Sequence, residues 1–455
     1  MRLRISPWGG IDCPVEIHPY PSSPHSQFSI ENMERTDGES TWIVDIANLS
    51  PGTTYHVGIT PPLGIASQKA IVRTLPTSLT EVPLEIGLFS CYFPSEEYCN
   101  NAVRARSILE TLDVVPHLKF FAGDQIYGDV PSSSNSIKTI YRDRHREIFE
   151  DDRLGSLLSY GANLFTCDDH EYWNSYPESA WWLSRTYDRN WMEARQEATA
   201  HFYQNQGILN FSTGFTGGAA DNRCWCSGTL SGIDLFVTDT RTDRASRDNE
   251  RQSSNKAVVP PSTMSLRQLG SLRRWIDHVE RVGLLVLGQP LWLLSESYDN
   301  ALCDYGEFDT ILDDLARNMR DRDVTYIVLT GDIHWGRLTI LKNLLRPASK
   351  LIEFVSSPIA RVGMRSILSR RLDVGKRPNV NFKFDDQPRL KHYFGTYDKE
   401  KVFATNENNF GRLSLFSPTP ASLEARIELW SLDTQSLALN RWNGLDQRCQ
   451  RALNV

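Results

Sequence analysis

Residues that can bind metals or transfer protons follow short apolar runs at five places in this sequence. The motifs are Ser90-Cys91 after Leu84–Phe89, Gly123-Asp124-x-x-Tyr127 after Leu118–Ala122, Asp168-Asp169-His170-Glu171 after Asn163–Cys167, Asp239-Thr240-Arg241 after Ile233–Thr238, and Gly331-Asp332-Ile333-His334 after Val324–Thr330. Apolar runs that end in turn-forming residues are typical of buried parallel strands. In open α/β sheets, ligands bind just outside the carboxyl ends of such strands. The motifs therefore predict one shared site.

Together these side chains make a mixed set of oxygen, nitrogen and sulfur donors. Such a set suits iron, manganese or zinc, whereas calcium prefers oxygen alone. Two cations about 3.5–4 Å apart clamp the attacking and leaving oxygens of a displacement at phosphorus, and a carboxylate such as Asp124 can bridge them. A cation also lowers the pKa of a bound water toward about 7. The donor set therefore indicates a hydrolase with a dinuclear metal centre.

Two further residues suit a phosphoester substrate. Arg241 can hold the non-bridging phosphate oxygens through two parallel hydrogen bonds. His170, beside Asp169, can protonate the leaving oxygen. Monoesterase and diesterase activity need the same metals and differ in pocket shape, so the prediction covers a phosphorylated small molecule or a phosphodiester.

Strand and helix patterns alternate from Leu84 onward, which predicts an α/β fold with a mainly parallel sheet covered by helices. Apolar spacing predicts helices over residues 101–112 and 180–204 and another helix after Thr263. The apolar face of this last helix consists of Leu266, Leu269, Leu272, Ile276 and Val279. A further buried strand and turn are predicted over residues 283–292, and strands that could add antiparallel edges over residues 411–416 and 423–430.

Residues 1–80 differ from the rest of the chain, because short β-rich runs alternate there with closely spaced turn signals. Pro51-Gly52 makes a turn, and alternate residues from Tyr55 onward then point to one face. This stretch resembles the fibronectin type III signature, in which a leucine, a Pro-Gly turn and a tyrosine precede the penultimate strands. We therefore expect a fibronectin III/Ig-like β-sandwich over residues 1–80 and a catalytic domain over residues 81–455.

The composition restricts the class of protein. The 455 residues carry 49 Lys+Arg against 56 Asp+Glu, and the net charge of −7 argues against a sequence-specific nucleic-acid binder. No apolar run approaches the roughly 20 residues that span a bilayer. The first ten residues lack the apolar segment of a signal peptide, and the eight cysteines form no C-x-x-C pair. We therefore expect a cytoplasmic protein with reduced thiols, whose oligomeric state the sequence leaves open.

The order and spacing of the five motifs resemble the alkaline phosphatase D (PhoD-like) family of calcineurin-type metallophosphatases over residues 84–430. The resemblance implies a metallophosphatase-type β-sandwich flanked by helices in a four-layer α/β/β/α arrangement, with a small β-domain in front. The tyrosine after Gly-Asp also resembles the purple acid phosphatases, in which that phenolate binds ferric iron.

The resemblance further implies a role for each site residue. One cation, Fe3+, would be bound by Asp124, Cys91, Tyr127 and His334. The second, Ca2+ or alternatively Mn2+ or Zn2+, would be bound by Asp124, Asp169, Asp332 and, as a weaker candidate, Asn174. Arg241 would bind phosphate, and His170 would be the acid or would support a ligand.

Three positions depart from the broader superfamily. Ser90-Cys91 replaces its Asp-x-His, Asp169 replaces its asparagine before His170, and Gln289 stands where it has a histidine. The PhoD-like branch shares these replacements. The chain also lacks the twin-arginine signal of exported members, which argues against a periplasmic phosphate-scavenging role.

Two other functions stay open at this point. A degenerate metallophosphatase fold can serve as a non-catalytic binding or scaffold protein, although every expected ligand type is present here. A metallohydrolase on the same core can act on a substrate without phosphorus, although Arg241 favours phosphate.

Two local features have simpler interpretations. Cys224 and Cys226 would point to one side of a predicted strand, and without a second thiol pair we expect core cysteines and no zinc or redox site. Residues 361–391 hold nine basic and three acidic residues, a surplus of six. This segment is either a solvated loop or a rim that attracts anionic substrates.

Overall fold

The structure is a computed structural model of the chain. It describes residues 2–5, 16–21, 29–35, 42–60, 68–94, 100–129, 136–178, 188–211, 214–246, 261–291, 302–360, 392–394, 397–405, 407–419, 422–432 and 453–454. The basic segment at 361–391 lies outside these residues, as do residues 180–187 of the second predicted helix. Within the described ranges, no helix is both long enough and apolar enough to cross a bilayer.

The first six strands form two antiparallel sheets of three strands each. They are β1 (Arg2–Ile5), β2 (Glu16–Pro21), β3 (Ser29–Arg35), β4 (Trp42–Ala47), β5 (Thr54–Thr60) and β6 (Gln68–Arg73). The strand orders are β1-β4-β3 and β2-β5-β6. One buried apolar cluster joins the two sheets and consists of Val44, Ile46, Tyr55, Val57 and Val72. The predicted alternation of β5 is therefore confirmed at Tyr55 and Val57.

A six-stranded sheet carries three of the five motifs. Its strands are β7 (Leu84–Phe89), β8 (Leu118–Ala122), β9 (Ala162–Thr166), β18 (Asn409–Phe416), β19 (Glu424–Ser431) and β20 (Leu453–Asn454). The order is β20-β19-β18-β7-β8-β9. Strands β7, β8 and β9 are parallel, whereas β18 and β19 add the antiparallel edge that the sequence predicts.

An eight-stranded sheet carries the other two motifs. Its strands are β10 (Thr216–Gly217), β11 (Cys226–Leu230), β12 (Ile233–Val237), β13 (Val282–Val286), β14 (Thr325–Thr330), β15 (Gly336–Asn343), β16 (Lys350–Val355) and β17 (Tyr397–Thr405). The order is β10-β11-β12-β13-β14-β16-β15-β17, and β12, β13, β14 and β16 are parallel.

The two large sheets share one buried core. Leu88 and Phe120 of the six-stranded sheet belong to the same apolar cluster as Leu284 and Ile327 of the eight-stranded sheet. Successive strand residues point to opposite faces, so the next residues along β7 and β8 contact helices instead. The mixed α/β fold with mainly parallel catalytic strands is therefore as predicted.

Six α-helices cover these sheets within the described residues. They are α1 (Asn101–Thr111), α2 (Ile137–Phe149), α3 (Asp152–Leu158), α4 (Asp188–Asn205), α5 (Leu266–His278) and α6 (Gly306–Asp321). Helices α1, α3 and α4 share a cluster with Phe89 and Phe121, and α5 and α6 share another with Phe236 and Tyr326. Helices α2, α3 and α6 were not predicted.

The predicted helix after Thr263 is confirmed as α5, with one correction. Ser265 caps it by accepting a hydrogen bond from the Gln268 N–H. Leu272 and Ile276 are buried as expected, but Leu266 is 85% exposed. Leu266 is the first residue of the helix, so its side chain lies beyond the part of the face that the sheet covers.

Candidate metal centre

The carboxyl ends of β7, β8 and β14 meet at one place. The Cys91 N–H donates to the Gly123 carbonyl (3.1 Å), which joins the ends of β7 and β8. A Cβ at Gly331, after β14, would lie 2.4 Å from Ser90, so only glycine permits this contact between the two sheets. The Cys91 sulfur also lies 3.5 Å from the Asp332 carbonyl oxygen, so two motifs more than two hundred residues apart in the chain are in direct contact.

Four aspartates face one another at this meeting point. One carboxylate oxygen from each of Asp124, Asp168, Asp169 and Asp332 lies within 4.8 Å of the others. Burial is the main cause that raises the pKa of Asp124 and Asp332 well above the usual range, and neighbouring carboxylates raise both further. Buried oxygen donors at this density fit a bound cation.

Four predicted ligands have a left-handed backbone. The φ angles are +53° for Cys91, +61° for Asp124, +68° for Asp332 and +53° for His334, and these are four of the nine non-glycine residues with positive φ in the described ranges. Such a conformation costs of the order of 1–3 kcal/mol and concentrates at functional sites. The backbone therefore supports a functional role independently of side-chain chemistry.

The Cys91 thiol lies against the aspartates. Its Sγ donates to Asp124 Oδ2 (3.3 Å) and accepts from Ser357 Oγ (3.1 Å). Burial, and then the charges of Asp124 and Asp332, raises the pKa of this thiol well above its ordinary value. A coordinated thiol loses its proton outright, so a cation bound here would lower the pKa of the Cys91 thiol instead. Cys91 and Asp124 are close enough to bind one cation.

The buried polar atoms at the site without a hydrogen-bond partner among the described residues include Tyr127 Oη, Asp129 Oδ2, Asp168 Oδ2 and Arg241 Nη2. Buried polar groups are nearly always satisfied, so their shared position indicates groups that bind here. A cation satisfies a phenolate or a carboxylate, and an anion satisfies a guanidinium. The side chains present therefore fit both metal ions and a phosphoester.

Tyr127 packs between Phe93 and His170. Its ring centroid lies 5.3 Å from that of Phe93 and 4.4 Å from that of His170. Burial, followed by the charges of Cys91 and Asp124, raises the pKa of the phenol. The phenol is therefore close to Cys91 and Asp124, two of the three ligands with which the resemblance groups it.

His170 is held by Asp129, a carboxylate that the sequence analysis did not single out. Nδ1 of His170 lies 2.9 Å from Asp129 Oδ1, and both residues are buried. Burial lowers the pKa of His170, but the charges of Asp129, Asp169 and Asp124 outweigh it and raise the pKa well above the ordinary value. This leaves Nε2 as the ring atom available to a substrate. The second Gly-Asp pair, at Gly128, was the signal that sequence reading missed.

Arg241 is fully buried and contacts the aspartates. Its Nε donates to Asp168, Nη1 donates to the Tyr176 carbonyl (2.8 Å), and Nη2 lies 3.9 Å from Asp169 Oδ1. These two hydrogen bonds use two of the five guanidinium N–H groups, and Nη2 makes no hydrogen bond among the described residues. Phosphate binding by Arg241 stays a prediction, and fixing Asp168 is an additional role.

His334 is anchored beside Cys91. Its N–H donates to Ser357 Oγ (3.2 Å), the hydroxyl that also contacts the Cys91 sulfur. Metal binding by this histidine stays a prediction.

Asn174 lies half-buried next to Ser175. Its Oδ1 accepts from Ser175 Oγ (3.0 Å), while the Ser175 N–H donates to Asp169. Ser175 thus connects Asn174 to the aspartates, and direct binding of a cation by Asn174 stays a prediction.

Gln289, which replaces the superfamily histidine, supports Asp332. Its Nε2 donates to Asp332 Oδ2 (3.1 Å), and its Oε1 accepts from Arg244 Nη2 (3.0 Å). Arg244 in turn donates to the Thr240 carbonyl (2.9 Å) and lies over the Tyr305 ring. Sequence analysis did not single out Arg244. Gln289 therefore holds Asp332 by a hydrogen bond, and its amide oxygen already accepts a hydrogen bond from Arg244.

A second set of donor atoms lies at Cys167, Cys224 and Asp239, within 4.8 Å of one another. Asp239 already accepts from the Thr242 N–H (2.9 Å), the Thr242 hydroxyl (2.8 Å) and the Cys167 thiol (3.2 Å), so it is satisfied without a cation. Strand β11 begins at Cys226, which packs in a different cluster from Cys224. The expectation that Cys224 and Cys226 share one side is therefore wrong, but both are buried free thiols.

Two packed sheets whose strand ends bring carboxylates, a thiol and a phenol together define an α/β protein with a candidate metal centre. The family model of the PhoD-like phosphatases matches residues 96–401. The match covers more than half of the chain, which therefore belongs to the PhoD-like phosphatase family and is a hydrolase that acts on phosphoesters.

The fold comparison agrees with this assignment. A solved structure described as "Structure of PhoD" is similar to the chain, with a TM-score of 0.57, 17% sequence identity, and coverage of 87% of this chain and 76% of that chain. At this identity the similarity concerns the fold alone. No curated protein matches the chain.

Gly123 offers a direct test of how the ends of β8 and β9 meet. Its φ is +83°, and a Cβ would lie 2.4 Å from the Asp168 Cβ. We expect Gly123→Ala to lower the free energy of unfolding by about 1–3 kcal/mol, measured by urea denaturation. Gly155→Ala in α3 is the matched control, because a Cβ there meets nothing within 4 Å and alanine favours a helix by about 0.5–1 kcal/mol. An unchanged free energy for Gly123→Ala would contradict the described contact.

Proposed function

We propose that this chain hydrolyses phosphomonoesters, phosphodiesters or both with a dinuclear metal centre at the joined strand ends. The observation that carries the proposal is the buried meeting of Cys91 with the aspartates. Its Sγ lies 3.3 Å from Asp124 Oδ2, and oxygens of Asp124, Asp169 and Asp332 lie within 4.8 Å of one another. Carboxylates and a thiol this close together are stable only with a cation or with bound protons.

We assign the donors to two cation sites that share Asp124 as a ligand. The proposed first site, whose sulfur, nitrogen and oxygen donors suit Fe3+, consists of Asp124, Cys91, Tyr127 and His334. The proposed second site, whose oxygen donors suit Ca2+ or alternatively Mn2+ or Zn2+, consists of Asp124, Asp169, Asp332 and Asn174.

The side chains would bind and orient the substrate around these ions. The bound cations would supply Lewis acidity and lower the pKa of water. Asp129 holds Nδ1 of His170 and favours its protonated form, so Nε2 can give a proton to the leaving oxygen. Arg241 offers Nη2 to a phosphate oxygen, and its contacts with Asp168 and Tyr176 fix the direction of the guanidinium.

We also propose that residues 1–80 form a fibronectin III/Ig-like β-sandwich and residues 81–455 the catalytic domain. Two three-stranded sheets joined by one cluster support the sandwich. The Ser50 N–H also donates to the Tyr55 hydroxyl (2.8 Å), as in the tyrosine corner of such folds. Ile71 of β6 makes backbone hydrogen bonds to Ser159 and Gly161 beside β9, so the sandwich would brace that edge of the catalytic domain.

For residues 81–455 we propose the four-layer α/β/β/α arrangement. The cluster shared by the two large sheets supports the two inner layers. The separate clusters that each sheet shares with its own helices support the two outer layers.

Metal analysis combined with two assays tests the function. We expect the purified chain to contain about two metal ions and to hydrolyse p-nitrophenyl phosphate or bis-p-nitrophenyl phosphate. Removing the metals should abolish hydrolysis, and adding them back should restore it. Bound metal without either activity would favour a substrate without phosphorus, and absence of both metal and activity would favour a binding protein.

A further inference from the structure

The Glu171 carboxylate gathers backbone N–H groups from two segments of the metal centre. Its Oε2 accepts from the Asp124 N–H (2.9 Å) and the Asp168 N–H (2.8 Å). Its Oε1 accepts from the Gln125 N–H (2.7 Å) and, at longer range, from the Ile126 N–H (3.3 Å). The side chain is fully buried. Since a carboxylate offers about four lone-pair sites, these donors account for the hydrogen-bonding capacity of both oxygens.

The segment that Glu171 binds has an unfavourable backbone conformation. Gly123 and Asp124 both have left-handed φ angles, +83° and +61°. Asp124 has a side chain, so this conformation is unfavourable for it in an isolated chain. Successive N–H groups around such residues form a concave cradle for an anion. Glu171 is the anion in that cradle, and it compensates the strain at Asp124.

The same carboxylate also joins the two halves of the centre. Oε2 holds Asp124 after β8 and Asp168 after β9, and Asp168 is the neighbour of Asp169. The Gly128 N–H donates to the His170 carbonyl (2.8 Å), which holds the segment after Asp124 against the turn that contains Asp169. The relative position of Asp124 and Asp169 therefore depends on Glu171.

We propose that Glu171 is a positioning residue that sets the arrangement of Asp124 and Asp169 in the metal-free chain. It does so through their backbone and is not itself a cation ligand. The inference rests on the proposed function only in taking Asp124 and Asp169 as cation ligands.

A different explanation is that Glu171 merely adds negative charge near the cations. Two variants separate the explanations. Glu171→Gln keeps the shape of the side chain, but it removes the charge and turns one acceptor oxygen into a donor. Glu171→Asp keeps the charge but shortens the side chain by one methylene group, so it no longer reaches all the N–H groups. Positioning predicts that both variants are impaired, whereas charge alone predicts that only Glu171→Gln is.

Amide hydrogen exchange of the metal-free full-length chain is the main measurement. We expect residues 124–126 to be protected in the wild type, and both variants to exchange about 10- to 100-fold faster there. Cation affinity, measured by competition with a chelator, should fall by about 10- to 100-fold in both variants. The control is Glu85→Gln at the start of β7, where the buried carboxylate accepts from Arg412 Nε (2.9 Å) and Ser414 Oγ (2.9 Å). It should lower stability without changing exchange at residues 124–126.

Three results would overturn the inference. One is rapid exchange at residues 124–126 in the metal-free wild type. This measurement does not depend on whether any variant folds. Another is wild-type exchange there in Glu171→Gln. The third is wild-type cation affinity in Glu171→Asp. If the chain binds no cation, the proposed function fails, and exchange in the metal-free chain still decides whether Glu171 positions Asp124.

Discussion

Asp124→Asn is expected to lower kcat/KM for a phosphoester by at least about 1,000-fold, which corresponds to about 4 kcal/mol of transition-state stabilisation. Asparagine keeps the shape of the side chain but has one acceptor oxygen and no charge. Asp124 contacts Cys91 through Oδ2 and the His170 N–H through Oδ1. A neutral amide therefore cannot serve both proposed sites, and we expect at least one cation to be lost.

The measurement is metal content together with the two p-nitrophenyl assays on the same preparation. Asp314→Asn in α6 is the matched control, because Asp314 is also buried and pairs with Arg273 (2.7 Å) and Arg317 (2.7 Å) on an outer helix. This control should destabilise the fold and keep both metals and activity. Full activity and full metal content in Asp124→Asn would exclude a bridging role.

His170→Asn is expected to lower kcat by about 100- to 10,000-fold while the metal content stays that of the wild type. The reason is the geometry at Asp129, which holds Nδ1 at 2.9 Å and leaves Nε2 to the leaving oxygen. A proton donor matters most when the leaving group is poor. The loss should therefore be larger for an alkyl phosphoester than for a p-nitrophenyl ester.

The comparison of leaving groups separates an acid from a ligand. An oxygen of Asp124, an oxygen of Asp169 and a ring nitrogen of His170 also lie within 4.8 Å of one another, so metal binding by His170 is the competing assignment. Loss of a cation from His170→Asn, with equal effects on both kinds of ester, would favour that assignment. Asp129→Asn should show a weaker form of the His170→Asn result, because it acts only through the imidazole.

Local patterns predicted much of the fold. Strands β7, β8, β12 and β14 appear at the expected apolar runs, because strand burial and turn-forming residues act over a few neighbours. Helix α6 was missed although Phe308, Ile311, Leu315 and Met319 bury one face of it. Its many charged residues obscured a stripe that only the packing against the eight-stranded sheet makes evident.

Residue types and their order in the chain were thus enough to identify the α/β class, the strand ends and the resemblance to PhoD-like phosphatases, because these depend on short-range sequence patterns. Tertiary structure alone decided which partners those residues have. The contacts of Arg241 with Asp168, of Asp129 with His170, and of Glu171 with the Asp124 backbone each join segments that are far apart in the sequence. Left-handed φ angles at Cys91 and Asp332 likewise arise where strands of two sheets meet. Long-range packing determines both the partners of these residues and these backbone conformations, and local sequence patterns do not specify it.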